Sequence, residues 1–187
     1  MPETALKRVA PAEMPGDIRQ AFEHSMRLRG DATFFEVFAN HPELYRWYTG
    51  SFYGEVFRGG RVARRIKELV RLRLSTIHGC RFCNQGNRLD ALAAGLAAAD
   101  LDALADYEAS DLEPAEKAAL RLADQMLLTN PGGQVNDALY ADLRDHFDDA
   151  EILELGVVLG ILAGMAKFLF AFDLVDREAD CPIHPGS

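Results

Sequence analysis

The sequence predicts an all-α protein, and two observations support this fold class. Apolar residues recur at helical spacing in most segments, and glycine and proline clusters separate those segments by short connections. No segment of useful length alternates apolar and polar residues as a half-buried strand does. The length of 187 residues suits one domain. We expect a helical domain over residues 16–176, an amino-terminal arm over 1–15 and a carboxy-terminal tail over 177–187.

Capping residues predict the first three helices. Asp17 is expected to cap a helix that ends at Gly30, and Asp31 a second helix over residues 33–38. His41-Pro42 opens a third helix, because a proline in the first turn loses no intrahelical hydrogen bond. The arm before these helices carries three prolines among charged residues, so we expect it to be loosely ordered.

Six further helices are expected from the same signals. Their predicted spans are residues 61–77, 84–92, 100–107, 114–127, 136–147 and 150–175. Candidate amino-terminal caps are Asp100, Asn136 and either Asp148 or Asp149. Gly95 is expected to end the second of these helices, and Pro114 lies in the first turn of the fourth.

The final predicted helix is apolar on most of its sides. Its longest apolar run, residues 155–166, is 12 residues long, whereas a membrane span needs about 20. We therefore expect a buried or interface helix and no membrane association. Gly156, Gly160 and Gly164 recur at every fourth position and would let another helix pack closely. The helix is either the centre of the monomer core or part of a subunit interface.

Net charge and cysteine content limit the possible functions and cellular locations of the protein. A formal charge of −9 and a pI near 5.0 argue against a general nucleic-acid binder, which usually has a basic surface. The first residues contain no apolar signal segment, and three cysteines are too few for a disulfide scaffold. We expect a cytoplasmic protein.

Two of the three cysteines, Cys80 and Cys83, form a Cys-x-x-Cys pair at the predicted start of a helix. Residues three apart share one helix face, so their sulfurs are close enough to bond. Unpaired backbone N–H groups at a helix start favour the reactive thiolate, more so for the first cysteine. The pair is therefore a redox site or, alternatively, two reduced core residues.

A metal site is a third interpretation of the cysteines. Cys181-Pro-Ile-His184, together with Cys80 and Cys83, would complete a Cys₃His zinc set. The two halves lie about 100 residues apart in a proline-flanked arrangement, whereas zinc-binding pairs are usually closer. We therefore expect no metal, and expect Cys181 to be a free thiol on a mobile tail, able to pair with another chain.

The pattern around the pair resembles a known family. Its elements are Glu68-x₁₁-Cys80-x₂-Cys83, Leu69-Val-Arg-Leu-Arg73, His41-Pro-Glu-Leu44, Ala94-Gly-Leu96, Glu113-x₂-Glu116-x-Ala118, Thr129-Asn-Pro131 and Leu143-Arg-x-His-Phe147. Together they resemble the carboxymuconolactone decarboxylase family, and within it the alkylhydroperoxidase D (AhpD)-like branch, over roughly residues 40–175. The resemblance implies an all-helical AhpD-like domain that forms a homo-oligomer (a trimer, a hexamer or possibly a dimer) and needs no metal or organic cofactor. It also implies a peroxidase with peroxiredoxin-like antioxidant activity, a hydroperoxide substrate and a dithiol or protein reductant.

The resemblance also implies site residues. Cys80 and Cys83 match the redox pair, and Glu68 matches the family glutamate, whose implied role is to accept a proton as a thiol ionises. Without the resemblance, Glu68 would be an ordinary ion-pair partner of the neighbouring arginines. The family histidine is replaced by Asn87, which cannot take up a proton at neutral pH. His78 is the nearest imidazole, and either reaches the thiols or is exposed or structurally bonded.

Three functions follow from these residues. The first is a thiol oxidoreductase that reduces a hydroperoxide through the cysteine pair. The position at the helix start mildly favours Cys80 as the attacking residue, although the sequence does not decide between the two. The second is a lyase that decarboxylates a lactone acid, which would not need the cysteines. The third is a non-catalytic, redox-sensing helical oligomer, which the loss of the family histidine supports.

Overall fold

The computed structural model describes residues 2–183, and over these residues the chain is helical without a strand. The all-α prediction is confirmed. The α-helices are α1 (Gly16–Arg29), α2 (Thr33–Phe38), α3 (Pro42–Arg46), α4 (Arg64–Ile77), α5 (Arg81–Ala93), α6 (Ala98–Asp102), α7 (Pro114–Gln125), α8 (Asp137–Arg144) and α9 (Asp149–Ala171). Short 3₁₀ segments span Pro11–Glu13 and Ala103–Ala109, and a π-helical segment spans Trp47–Phe57.

Most helix ends lie where the sequence predicts them. Gly30 and Gly95 end their helices with positive φ angles of 70° and 93°, which a residue without a Cβ adopts easily. Three predicted capping residues are not at the capping position. Asp31 precedes Ala32, the capping residue of α2, although its Oδ1 accepts the N–H of Thr33 at 3.0 Å. Helix α1 begins one residue before Asp17, directly after Pro15, and Asp100 lies inside α6, where its carboxylate accepts a hydrogen bond from the backbone N–H of Ala97 at 2.7 Å.

The chain after α3 differs from the predicted α-helix. From Trp47 to Phe57 it forms i→i+5 hydrogen bonds, which continue as far as the 3.0 Å bond from the N–H of Arg58 to the carbonyl of Tyr53. This wider winding turns Tyr48, Phe52 and Phe57 into the core. The hydrophobic period does not distinguish such a segment from an α-helix, and π segments are frequent at functional sites.

Helix α4 is the central element and contacts α5, α7 and α9. Its residues Leu69 and Val70 are fully buried in one core, which they share with Leu120 of α7 and Leu155 of α9. A second, largely aromatic core lies between α2, the π-helical segment and the end of α9. Cys80 belongs to this second core, so the cysteine pair lies at the edge of an aromatic cluster.

Both terminal segments pack against the domain. Val9 and Met14 are buried, and the N–H of Val9 donates to the carbonyl of Glu36 at 3.0 Å. Cys181 is completely buried, with its sulfur 3.1 Å from the carbonyl of His78. The predictions of a loosely ordered arm and of an accessible Cys181 on a mobile tail are therefore wrong, because both segments carry apolar side chains that fill the second core.

Helix α9 is buried along one side only. Leu155, Val158 and Leu159 are inaccessible, whereas Leu153 is 68% exposed and Val157 48% exposed. Its 23 residues, with a mean hydropathy of 2.0 over 18 of them, are long and apolar enough to cross a membrane by length and composition alone. A helix with this exposed apolar stripe is consistent with a subunit interface, which stays a prediction.

A buried ion pair attaches α9 to the start of α4. The ammonium group of Lys67 is completely buried and lies 2.9 Å from Oε1 of Glu154 and 2.8 Å from the carbonyl of Val56. Glu154 also accepts backbone N–H bonds from Arg61 and Val62. Burial opposes ionisation of Glu154, but the hydrogen bonds from Lys67 and from these two N–H groups outweigh it and lower the pKa of the carboxyl group.

We expect Lys67→Met to lower the free energy of unfolding by about 3–5 kcal/mol, because it leaves the Glu154 carboxylate buried without its cation. The control is Arg88→Met, whose pair with Asp102 is half exposed and should cost under about 1 kcal/mol. Urea titrations at one protein concentration measure both values. Equal losses for the two variants would contradict the structural role given to Lys67.

Candidate active site

Cys80 and Cys83 form a disulfide at the amino-terminal end of α5, with their Cα atoms 5.2 Å apart. Cys80 is the capping residue, and its sulfur accepts the N–H of Cys83 at 3.2 Å. Gly79 makes the turn from α4 into α5 with a φ angle of 66°, and a Cβ there would lie 2.6 Å from the Cα of Cys181. The turn therefore requires glycine both for its conformation and for the packing of the tail.

The two sulfurs differ in accessibility. Cys80 is 1% exposed, whereas Cys83 is partly buried and lines a cavity of about 390 Å³, which we call the main cavity. The apolar and aromatic residues that line the main cavity are Phe34, Tyr45, Tyr48, Tyr53, Phe82 and Leu169. Its polar lining residues include Arg29, Thr49, Arg58, Arg71, Asn87 and Asp90. A smaller cavity of about 70 Å³ is lined by both cysteines and by Ser75, His78 and Asn87, among others.

Glu68 is buried but lines neither of these cavities. One oxygen accepts a hydrogen bond from Nε of Arg64 at 3.2 Å, and the other accepts a short bond from Nη2 of Arg71. Arg71 lines both cavities and also binds Asp90 at 3.1 Å. Glu68 is therefore connected to the cysteine pair through Arg71, and its role as a proton acceptor stays a prediction.

Asn87 lies one helical turn after Cys83 on the same face of α5 and lines both cavities. Its Nδ2 donates a hydrogen bond to Oγ of Ser75 on α4 at 3.0 Å. The residue at the position of the family histidine is thus directly beside the cysteine pair, as the spacing predicts, and is held there by a neutral hydrogen bond.

His78 is structurally bonded, which was one of the two interpretations of this residue. It is completely buried, and Nε2 accepts the N–H of Leu128 at 3.0 Å, which leaves the proton of the neutral ring on Nδ1. Burial lowers the pKa of His78 to about 4, so the ring is neutral at pH 7. It lines the smaller cavity with the cysteines and connects the end of α4 to the segment after α7.

Sequence reasoning missed the residues that build the rest of the main cavity. Tyr48 and Tyr53 come from the π-helical segment, and Arg29 from the last turn of α1. Burial, and then the neighbouring Tyr53, raise the pKa of Tyr48 well above its usual value, so it stays protonated. The guanidinium group of Arg71 lies 4.9 Å from the ring centre of Phe57. The clustering of aromatic residues between positions 45 and 57 is a sequence signal that could have indicated the aromatic part of this cavity.

The zinc interpretation has no support among residues 2–183. In this range no group of three or more histidine, cysteine or acidic residues is arranged to hold a metal ion. The buried sulfur of Cys181 contacts the backbone carbonyl of His78, and Cys80 and Cys83 are bonded to each other. His184, the fourth residue of the suggested set, lies outside the described residues.

Comparison with known proteins identifies the family. The model of the carboxymuconolactone decarboxylase family matches residues 42–125, which include Glu68, the cysteine pair and Asn87. The uncharacterized protein YdfG of Bacillus subtilis is 31% identical over 99 residues, which are 52% of this chain and 67% of that protein. The chain belongs to the carboxymuconolactone decarboxylase family. The patterns at residues 129–131 and 143–147 lie beyond the part that the family model matches.

Solved structures confirm the AhpD-like fold. An AhpD-core, peroxidase-related protein from Ralstonia eutropha is 18% identical, with a TM-score of 0.71 over 96% of this chain and 94% of that one. The debrominase Bmp8, solved with 2,3,4-tribromopyrrole, is 16% identical, with a TM-score of 0.73 over 95% of this chain and 93% of that one. An Agrobacterium tumefaciens protein of unknown function, described as a candidate AhpD antioxidant-defence protein, is 24% identical, with a TM-score of 0.62 over 80% of this chain and 96% of that one.

The low pKa of His78 predicts a pH-dependent stability. The pKa is 6.5 in an ordinary histidine and about 4 in the folded protein, so between these pH values the unfolded chain binds more protons. The free energy of unfolding should fall by about 2–3 kcal/mol from this residue as the pH drops through that range. Urea titrations of His78→Gln should show a flatter pH dependence, with His24→Gln, at an exposed histidine, as the control. An unchanged slope in His78→Gln would contradict the assignment.

Proposed function

We propose that the protein is a thiol-dependent peroxidase that reduces an organic hydroperoxide and oxidises Cys80 and Cys83 to a disulfide. One observation carries this proposal: Cys83 lines the main cavity, while the sulfur bonded to it belongs to the buried Cys80. A substrate in the main cavity would contact the sulfur of Cys83, whereas the sulfur of Cys80 is buried next to it. This arrangement suits one attacking and one resolving cysteine.

In this proposal Cys83 attacks rather than Cys80, because Cys83 lines the main cavity and Cys80 is buried. In the reduced protein, the Cys83 thiolate attacks the terminal oxygen of the hydroperoxide, and the O–O bond breaks. Cys83 becomes a sulfenic acid, and the released alkoxide takes up a proton and leaves as an alcohol. The Cys80 thiolate then attacks the sulfur of Cys83, and hydroxide takes up a proton and leaves as water. The product is the disulfide, and the substrate has gained the two electrons that the thiols lost.

The start of α5 favours both thiolates. Unpaired N–H groups of the first helical turn stabilise negative charge there, and the sulfur of Cys80 already accepts one such N–H from Cys83. The guanidinium group of Arg71, which lines both cavities, adds positive charge. Glu68 holds this guanidinium group through its carboxylate and so acts as a positioning residue for it.

An external dithiol or a protein reductant has to restore the thiols. Its thiolate attacks the accessible sulfur of Cys83, forms a mixed disulfide and releases Cys80 as a thiolate. The second thiol of the reductant then displaces Cys83, and the reductant leaves as a disulfide. We also propose that the protein works in the cytoplasm as a homo-oligomer, and that the exposed apolar stripe of α9 supports the subunit interface.

Single cysteine replacements separate the two roles. We expect Cys83→Ser to abolish peroxide consumption, and Cys80→Ser to consume about one equivalent of peroxide and then stop as a sulfenic acid or a mixed disulfide. Cys181→Ser, at a buried cysteine outside the pair, should keep turnover with a dithiol donor. Peroxide consumption and mass spectrometry of the protein measure these outcomes.

Other results would favour the alternative functions. Undiminished turnover in Cys83→Ser would refute the proposed role of the pair. Loss of carboxymuconolactone absorbance that thiol alkylation leaves unchanged would favour a lyase. Reversible disulfide formation without peroxide turnover in the wild type would favour a redox sensor.

Replacing Asn87 by histidine tests how far the absence of the family histidine lowers the peroxidase rate. Asn87→His places an imidazole one turn from Cys83, where it can accept a proton from a thiol. We expect the peroxidase rate at pH 7 to rise by about tenfold or more, since a positioned general base typically contributes 10²–10⁴-fold. Asn84→His on the same helix, outside both cavities, is the matched control. An equal rate in the two variants would show that proton transfer does not limit turnover.

A further inference from the structure

The main cavity is cationic in an acidic protein. Its lining contains three arginines (Arg29, Arg58 and Arg71) and one acid, Asp90, a difference of +2, whereas the whole chain carries −9. Among the described residues, neither Arg29 nor Arg58 forms an ion pair. The proposed peroxidase chemistry uses the charge of Arg71 to stabilise the thiolates, but it does not use those of Arg29 and Arg58.

Arg71 is a buried cation with spare hydrogen-bonding capacity. It is 5% exposed, and its Nη2 is shared between Glu68 and Asp90. Its Nε is buried and has no hydrogen-bond partner among the described residues. A buried donor without a partner costs free energy, so a ligand acceptor at this guanidinium group would stabilise the site.

Arg29, which also belongs to the polar lining of the main cavity, has a similar environment. Its guanidinium group lies 4.6 Å from the ring centre of Phe82, one nitrogen donates to Oγ of Ser25 at 3.3 Å, and the buried Nε has no partner among the described residues. Burial lowers the pKa of Arg29, although Asp90 and Asp31 oppose this effect. A bound anion would offset this cost of burial.

Gly86 makes room for Arg29. A Cβ at this position would lie 2.0 Å from Nη2 of Arg29, so any other residue would push the guanidinium group away from α5. Gly86 is buried three residues after Cys83 and lines the same cavity. The helix therefore has a glycine where the arginine packs against it, although glycine inside a helix costs about 1 kcal/mol relative to alanine.

The remaining lining suits a flat apolar body. Rings of Phe34, Tyr45, Tyr48 and Phe82 line the cavity, and the volume of about 390 Å³ falls within the range of small-molecule sites. Aromatic rings bind flat apolar groups by stacking and edge contacts, and an arginine fork binds a carboxylate with two parallel hydrogen bonds.

We propose that the substrate of this site is an organic hydroperoxide with an aromatic body and a carboxylate, and that Arg29 and Arg71 bind the carboxylate while the peroxide lies at Cys83. This assignment rests on the proposed peroxidase function for the identity of the reacting group. The anion site itself does not depend on that function. Arg58, which is exposed, adds positive charge at the cavity and attracts the substrate.

Binding of benzoate and of its neutral analogue benzamide tests the anion site without any thiol chemistry. Isothermal titration of the oxidised full-length protein should give a dissociation constant about tenfold lower for benzoate, and raising the salt concentration should reduce this preference. In Arg29→Gln the two ligands should bind equally. Gly86→Ala should have the same effect because it displaces the guanidinium group while every charge is kept. Arg88→Gln, whose side chain lies outside the main cavity, should keep the preference.

A kinetic measurement connects the anion site to the reaction. The ratio of kcat/KM for 4-carboxycumene hydroperoxide to that for cumene hydroperoxide should be about ten in the wild type and near one in Arg29→Gln. Equal binding of benzoate and benzamide, binding of neither, or a preference that survives in Arg29→Gln would overturn the proposed anion site. Benzoate preference without turnover of either peroxide would leave the anion site standing and refute the peroxidase function. Turnover of cumene hydroperoxide with no carboxylate preference would support the peroxidase function and refute the anion site.

Discussion

The turn at Gly79 is the constraint on which the rest of the structure depends. Three residues, His78 to Cys80, separate the end of α4 from the start of α5, so that Cys80 becomes the capping residue of α5 and Cys83 lies one turn further on. The same turn leaves no room for a Cβ, because the buried Cys181 packs against it. The carboxy-terminal segment thus closes the back of the cysteine pair. The main cavity is lined by Cys83 but not by Cys80.

Arg71 lines both cavities beside the cysteine pair and is bonded to two carboxylates. It extends from α4 beneath the aromatic residues of the π-helical segment and shares its hydrogen bonds between Glu68 and Asp90. Each arrangement follows from helix geometry: Glu68 and Arg71 are three residues apart on α4, and Asp90 faces them from α5. In the proposed function, the family glutamate acts on the cysteines through this cation. A buried carboxylate and a buried guanidinium group need each other, because either one alone would be costly.

The sequence was sufficient for the fold class, the main helices and the proximity of Cys80, Cys83 and Asn87, because these depend on local spacing. It was not sufficient for the aromatic and cationic cavity, because Arg29 and Tyr53 reach the site from elements distant in sequence. The π-helical winding of residues 47–57 also has no distinct hydrophobic period. The burial of Cys181 was missed for a similar reason: a short segment after a long helix shows no pattern that reveals packing against a remote glycine.

The central claim is that the two thiols of the pair differ in access, with Cys83 open to the main cavity and Cys80 closed off. Alkylation of the fully reduced protein over a range of pH, followed by mass spectrometry of each cysteine, tests this claim most directly. The structure predicts that Cys83 is modified first, with an apparent pKa below the free-cysteine value of about 8.5, while Cys80 and Cys181 react slowly. Modification of Cys80 as fast as that of Cys83 would contradict it.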